Sequence, residues 1–175
     1  MSRTHAGVWM GCALIALTLG ADAASAQGRG NQAPPQLVTP ADPEGFIIVT
    51  PEALDASFAN GTGRQRVLFG NPSQPGLYVV QLVWEPGSGS RPHVHNEARL
   101  INVLEGTWYV ETGEDARTYN PDETTPVTAG TFIYEPANGV HYDMAKDERV
   151  VVQIMGIGPV NTTSVEPPQA GSAPR

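Results

Sequence analysis

The sequence has little cysteine and few basic residues, and each shortage excludes a class of function. One cysteine in 175 residues excludes an internal disulfide framework and a metal cluster held by several thiolates. Only 10 Lys and Arg residues stand against 18 Asp and Glu residues, which gives a formal net charge of −8. Nucleic acids and anionic membrane surfaces attract basic proteins, so we expect neither of them as a partner.

Glycine and proline, in contrast, are abundant, with 19 and 16 residues. Both residue types interrupt regular structure and form turns, so this composition favours many short strands over a few long helices. The length is that of one domain large enough to bury a core.

The first 26 residues have the features of an export signal. Arg3 and His5 precede a short apolar run over residues 8–19, and the small residues at 24–26 suit a signal peptidase. The alternative is an N-terminal membrane anchor, for which the apolar run is short. We therefore expect a signal peptide over residues 1–26, a protein in the periplasm or secreted, and no membrane contact after cleavage.

Changes in composition divide the remaining chain into three parts. Residues 27–43 are rich in Gly, Pro, Gln and Asn and predict a flexible leader. Residues 159–175 have the same character and predict a flexible tail. The compact domain is therefore expected at residues 44–158.

Short apolar and β-branched runs between turn residues predict an all-β domain. One helical turn is expected at residues 51–54, where a proline suits the first helical position. The runs at 100–104 and 107–111 are separated by a turn at Gly106 and predict a hairpin. Strands are expected at residues 46–49, 67–69, 77–84, 100–104, 107–111, 131–134, 140–142 and 150–157. About eight such strands favour a sandwich or a barrel.

The three histidines that remain after signal cleavage are candidate metal ligands. His93 and His95 are two residues apart, so on a strand their side chains lie on one face. Two neutral imidazoles on one face begin a site for a divalent metal, and His141 could complete it if the sheet folds back. The alternative is that each histidine is an ordinary hydrogen-bonded core residue.

Two segments resemble the two sequence motifs of the cupin superfamily. The first motif runs Gly, five residues, His-x-His, three or four residues, Glu, six residues, Gly; the chain matches it with Gly87, His93, His95 and Gly106. The second motif runs Gly, five residues, Pro-x-Gly, two residues, His; the chain matches it with Gly130, Pro136 and His141. The stretches at 106–109 and 150–159 resemble small single-domain bacterial cupins.

This resemblance implies a double-stranded β-helix, or jelly-roll barrel, with one divalent transition metal at its centre. The ligands it implies are His93, His95 and His141, and the metal could be Fe, Mn, Ni, Cu or Zn. It also implies a small-molecule ligand and pairing into a homodimer.

Two positions depart from the motifs. Asn138 stands where the second motif has glycine, a mild change because asparagine tolerates a left-handed turn. Arg99 stands where the first motif has its glutamate ligand, and a guanidinium cannot bind a cation. Glu97 has the strand parity of His93 and His95, so it could replace that carboxylate.

Three interpretations of Arg99 are open. Its guanidinium could pair with an anionic substrate beside the metal, which makes it a candidate substrate-binding residue. It could instead form an internal ion pair with an acid such as Glu97 or Glu111. Finally, it could mark a barrel that has lost its metal.

Two classes of function follow from these observations. The first is an exported metal-dependent enzyme, of oxygenase, lyase, decarboxylase or isomerase type, that acts on a small anionic molecule. The second is a non-catalytic cupin that binds or senses a small ligand or metal. An enzyme also needs a group that moves protons, and the candidates by position are Tyr109, Tyr134, Tyr142, Glu111 and Asp143.

Overall fold

The structure is a computed structural model that describes residues 37–60 and 64–166. The predicted signal peptide and most of the predicted leader lie outside the described residues, as does the end of the predicted tail.

One helix is followed by ten strands in the described part of the chain. Helix α1 spans Pro51–Asn60, and two short 3-10 helices span Asp115–Arg117 and Pro121–Glu123. The strands are β1 Gln65–Phe69, β2 Gly76–Trp84, β3 His93–His95, β4 Arg99–Glu105, β5 Thr107–Thr112, β6 Thr125–Thr128, β7 Phe132–Glu135, β8 His141–Ala145, β9 Val150–Gly158 and β10 Thr162–Ser164.

These strands form two five-stranded antiparallel sheets. The first sheet has the order β1-β2-β9-β4-β7, and the second has the order β10-β3-β8-β5-β6. Strands that are consecutive in sequence often lie in different sheets, so the chain passes back and forth between them. This arrangement confirms the predicted double-stranded β-helix.

The main core lies between the two sheets. In β4, Ile101 and Val103 are buried, whereas Leu100 and Leu104 are exposed, because alternate side chains of a strand point to opposite faces. The second sheet contributes Trp108 to the same cluster. Side chains at the inward positions of both sheets therefore face one interior.

Strand β8 is buried on both faces. His141, Asp143 and Ala145 alternate with Tyr142 and Met144, and all five residues are buried. Tyr142 and Met144 belong to a second apolar cluster with Ala116, which lies in the first 3-10 helix. The 3-10 segment thus covers the outer face of β8, while the other face points into the barrel.

The predicted hairpin at Gly106 is wrong. Strands β4 and β5 do not pair with each other, because β4 pairs with β7 and β9, and β5 pairs with β6 and β8. Gly106 has a φ of 74°, and a Cβ there would lie 2.3 Å from the carbonyl oxygen of Arg149. This glycine lets the chain turn from one sheet into the other at a close backbone approach.

Other elements differ from the predictions in extent. Residues 46–49 form no strand in either sheet, and Phe46 and Ile48 are exposed. The helix at Pro51 continues for ten residues rather than one turn. Asn138 has a φ of 61°, so it adopts a left-handed conformation. This conformation is the one expected at a position where the second motif has glycine.

The ordered barrel extends beyond both predicted domain ends. The amide of Val38, in the predicted leader, donates to the carbonyl of Val67 at 3.0 Å. Strand β10 lies in the predicted tail and pairs with β3, opposite the two histidines. Composition alone gives no sign of these pairings, because backbone hydrogen bonds hold both segments.

Within the described residues, no helix has the length and apolar character needed to cross a membrane.

Candidate metal centre

Two neighbouring strands of the second sheet bring the three histidines together. His93 and His95 lie on β3, and His141 is the register partner of His93 on β8. Their ring centroids are 4.2 to 5.3 Å apart. One ligand atom from each histidine lies within 4.8 Å of the other two. The clustering predicted from the sequence is therefore present.

A hydrogen bond to the outer ring nitrogen orients each imidazole. His93 Nδ1 lies 2.7 Å from the carbonyl oxygen of Arg91, and His141 Nδ1 lies 3.0 Å from that of Gly139. His95 Nδ1 lies 3.1 Å from the Thr162 hydroxyl. A carbonyl can only accept, so Nδ1 of His93 and His141 carries the proton and Nε2 presents its lone pair.

The lone pairs of these imidazoles fit a bound cation. His93 Nε2 and His95 Nε2 are 3.1 Å apart. Two nitrogens that each lie about 2.1 Å from one shared ion are about 3.0 to 3.4 Å apart. His141 Nε2 is buried and has no hydrogen-bond partner among the described residues. A buried acceptor without a donor is costly, and a metal ion would satisfy it.

The electrostatic environment keeps the histidines neutral. Burial lowers the pKa of His93 and of His141 to about 4. Burial and, after it, the nearby Arg99 guanidinium lower the pKa of His95 to about 3. Neutral imidazole is the form that binds metals, so the set is ready to coordinate at neutral pH.

The Arg99 side chain forms an ion pair with Glu135. These residues are register partners on β4 and β7. Arg99 Nε donates to Glu135 Oε1 at 3.1 Å, and Arg99 Nη2 donates to Oε2 at 2.6 Å. The two side chains are 11% and 8% exposed. This two-point geometry is the strong form of a guanidinium–carboxylate pair.

Of the three interpretations of Arg99, the internal ion pair is present in the structure. Its acid is Glu135, rather than the Glu97 or Glu111 suggested by the sequence. Pairing with an anionic substrate stays a prediction for Arg99, which also lines the large cavity described below. Glu97 is exposed, whereas Glu135 is buried next to the histidines.

Glu135 is the site residue that the sequence analysis missed. Its Oε2 lies 3.6 Å from His141 Nε2, and its Oε1 lies 4.0 Å from His95 Nε2. The available signal was an acid at the inward parity of an apolar strand, two residues after Ile133. Its nearness to the histidines depends on the pairing between strands, which the sequence alone does not define.

Two cavities adjoin the histidines. The larger, of about 390 Å³, is lined by His93 and His95 together with Arg64, Arg91 and Arg99. The second, of about 300 Å³, is lined by His141, Glu135 and mostly apolar side chains. Three arginines thus line one cavity in a chain whose net charge is −8.

Three residues that line the larger cavity carry buried polar side-chain atoms without partners among the described residues. These are Trp84 Nε1, Trp108 Nε1 and Asp143 Oδ1. Each of the three residues is less than 6% exposed. Burial raises the pKa of Asp143 to about 7, although a hydrogen bond with Ser90 opposes this shift.

The remaining proton-transfer candidates lie in other surroundings. Tyr142 donates its hydroxyl to the carbonyl of Asn120 at 2.7 Å, so it belongs to the outer cluster of β8. Tyr134 is 60% exposed and borders the second cavity. Tyr109 packs against the outer cluster, and the Glu111 carboxylate bonds to the amide of Thr112. Among these candidates, Asp143 lines the larger cavity with His93 and His95.

The double-stranded β-helix and its buried histidine cluster define the chain as a cupin and support a metal-binding one. More particularly, the chain belongs to the family of ChrR cupin-like domains, whose model matches residues 45–161, more than half of the sequence. A search of curated proteins finds no match.

Several solved structures resemble this chain at low sequence identity. DMSP lyase DddQ from Ruegeria pomeroyi is 15% identical, with a TM-score of 0.52 over 74% of this chain and 80% of that protein. The polyketide cyclase RemF from Streptomyces resistomycificus is 19% identical, with a TM-score of 0.49 over 60% and 72%. A cupin-like protein from Thermotoga maritima is 20% identical, with a TM-score of 0.46 over 57% and 74%.

Proposed function

We propose that this chain is an exported metal-dependent enzyme that acts on a small anionic molecule. The observation that carries the proposal is the geometry of the histidines: three imidazoles converge, and outer hydrogen bonds orient them. The imidazole donors suit Fe, Mn, Ni, Cu or Zn. When bound, such a metal supplies a Lewis acid with open coordination positions for water, oxygen or substrate.

The chain itself supplies the groups that would bind and orient the substrate. Arg64 lines the larger cavity with His93 and His95, whereas the Arg91 guanidinium already pairs with Glu166, so Arg64 is the charge in this cavity that favours a negatively charged molecule. The indole N–H groups of Trp84 and Trp108 can donate to substrate oxygens, and Asp143 Oδ1 can accept from a hydroxyl.

A non-catalytic, ligand-binding cupin is the second candidate. The observation that favours it is the position of Arg99, because the glutamate ligand of the first motif is replaced by a residue that already pairs with Glu135. A cavity lined by unpaired donors fits a binding protein as well as an enzyme.

A thermal-shift screen with small carboxylates tests the proposal and separates the two candidates. The metal-loaded mature chain should be stabilised by one or more carboxylates and not by the corresponding neutral amides. His93→Ala should abolish this stabilisation, and Arg64→Met should weaken it. Any stabilising compound is then incubated with the loaded protein and followed by NMR. Consumption of the compound supports an enzyme, and binding without consumption supports the second candidate. Absence of carboxylate stabilisation would overturn the anionic substrate.

Export belongs to the same proposal. It is supported by the sequence of residues 1–26 and is tested by expressing the full chain in a bacterium and measuring the mass of the periplasmic product. Cleavage after Ala26 is expected, whereas an uncleaved cytoplasmic product would contradict export. The homodimer stays a prediction, which light scattering on the purified protein would check.

A further inference from the structure

The carboxylate missing from the first cupin motif has a counterpart on the adjacent strand. Arg99 stands at the motif position on β4, and its register partner on β7 is Glu135. Both side chains point into the barrel towards the histidines, because Arg99 pairs with the same carboxylate that lies near His95 and His141. The site therefore contains three imidazoles and one carboxylate, although the carboxylate comes from a different strand.

The distances bring Glu135 to the edge of the metal-binding set. Its two oxygens lie 3.6 Å from His141 Nε2 and 4.0 Å from His95 Nε2. Ligand atoms that share one metal ion are about 3.0 to 3.4 Å apart. Movement of the carboxylate by a few tenths of an ångström would bring Oε2 within this range of His141 Nε2, and the side chain has rotatable bonds for it.

The electrostatics of this contact call for a cation between the groups. His141 Nδ1 donates to the carbonyl of Gly139, so His141 Nε2 faces the carboxylate with a lone pair. Two electron-rich atoms thus face each other at 3.6 Å, and no described group donates to the His141 nitrogen. A metal ion bound by both would replace this repulsion with attraction.

We propose that Glu135 is the fourth, carboxylate ligand of the metal centre, and that Arg99 is a positioning residue that holds this carboxylate from the opposite strand. The proposal rests on the metal-binding function proposed above. In this proposal the carboxylate ligand lies on Glu135 rather than at residue 99, the ligand position of the first motif, and Arg99 at that position supports it.

The competing explanation is an ion pair that is only structural. In that case both residues only keep β4 and β7 in place, and loss of either should change the metal affinity by the same amount. If Glu135 is a ligand, the two residues differ: loss of the carboxylate removes a metal ligand, whereas loss of Arg99 frees that ligand from its position and also removes a nearby positive charge.

The experiment measures Zn²⁺ affinity by competition with a chromophoric chelator, and the absorption spectrum of the Co²⁺-loaded protein. Glu135→Gln should weaken Zn²⁺ binding at least about tenfold and change the Co²⁺ spectrum. Arg99→Met should change the Co²⁺ spectrum, because the carboxylate loses its support, but it should weaken Zn²⁺ binding less than Glu135→Gln does, because the ligand itself remains. Glu97→Gln is the matched control, because it removes an exposed carboxylate from the same region and should change neither measurement.

A charge-exchanged variant keeps the test independent of folding. Arg99→Glu combined with Glu135→Arg preserves the ion pair and returns the carboxylate to the motif position. It should bind Zn²⁺ within about tenfold of the wild type, whereas Glu135→Arg alone should not bind.

The possible results separate this proposal from the metal-binding function itself. If the wild type binds Zn²⁺ and Glu135→Gln binds it equally well, Glu135 is not a ligand and the metal-binding function stands. Equal losses in Arg99→Met and Glu135→Gln, or a loss in Glu97→Gln, would also overturn the proposal. If the wild type binds neither Zn²⁺ nor Co²⁺, the metal-binding function fails as well.

Discussion

Arg99 and Glu135 lie directly opposite each other on adjacent antiparallel strands, and two hydrogen bonds join their side chains beside the histidines. Gly156 on β9 and Tyr78 on β2 continue the same row across the sheet. The row faces the strands that carry the histidines, so the first sheet supports a site whose imidazoles come from the second.

The ion pair should contribute to the stability of the metal-free protein. Glu135→Ala leaves the Arg99 guanidinium in a buried position without its carboxylate, and we expect a loss of about 3 kcal/mol in the free energy of unfolding. The double variant Arg99→Met/Glu135→Ala should lose less than the sum of its single variants, since no unpaired charge remains. Urea denaturation in the presence of EDTA measures these values.

An exposed ion pair provides the control for this stability prediction. Arg117 pairs with Glu114 on the surface, and Arg117→Met should cost less than about 1 kcal/mol. If Glu135→Ala costs no more than Arg117→Met, the buried pair does not have the role described.

The metal-free protein should lose stability as the pH falls below about 6.5. Burial lowers the pKa of the three histidines to about 3 to 4 in the folded chain. Between about pH 6.5 and pH 4 the unfolded chain therefore binds protons at these histidines and the folded chain does not. The unfolded state is therefore favoured increasingly as the pH falls from about 6.5 to about 4. Urea denaturation in EDTA at pH 7.5, 6 and 5 measures this loss.

Asp143 opposes this pH dependence and provides its control. Burial raises the Asp143 pKa to about 7, so the folded state binds a proton that the unfolded state releases above about pH 4. This contribution stabilises the folded state as the pH falls, but one carboxyl is outweighed by three histidines. Asp143→Asn should therefore steepen the loss, and stability that rises between pH 7.5 and 5 in the wild type would contradict the account.

The hydroxyl of Thr162 should strengthen metal binding through His95. Thr162 Oγ1 lies 3.1 Å from His95 Nδ1 and can accept a hydrogen bond from its N–H group, which leaves the Nε2 lone pair for the metal. Thr162→Val removes this acceptor and should weaken Zn²⁺ binding about 10- to 100-fold. Thr163→Val is the control, because the next residue of β10 is exposed and pairs with Val94. Equal affinities of the two variants would refute this role.

The ring of Tyr78 should leave no space for a side chain at Gly156. A Cβ at Gly156 would lie 2.8 Å from the Tyr78 hydroxyl oxygen, and Tyr78 is only 2% exposed. Gly156→Ala should therefore cost about 1 to 3 kcal/mol in the free energy of unfolding. Adding Tyr78→Phe should recover part of this loss, because it removes the nearest atom. An unchanged unfolding midpoint in Gly156→Ala would show that the ring has space to move.

Much of the fold could be predicted from sequence because local signals agree with it. Strand β2 combines β-branched and aromatic residues between turns, and the motif spacing places His93, His95 and His141 at one site. The assignment of β4 and β5 to different sheets could not be predicted, because a glycine turn between two apolar runs is compatible with a hairpin or a crossover.

The ionic part of the site depends on pairing over long sequence separations. Glu135 is 36 residues from Arg99, and only the register of β4 and β7 brings them together. Thr162 is 67 residues from His95 and lies in a segment with the composition of a loose tail. Neither contact can be predicted from composition or motif spacing, because each contact depends on which strands pair and in which register.

The most direct test of the account is the metal content of the purified protein. Elemental analysis by mass spectrometry should find about one Fe, Mn, Ni, Cu or Zn ion per chain in the wild type and essentially none in His141→Ala. Two results would contradict a metal centre at the three histidines. In the first, the wild type retains none of these metals after incubation with each of them. In the second, His141→Ala retains as much metal as the wild type.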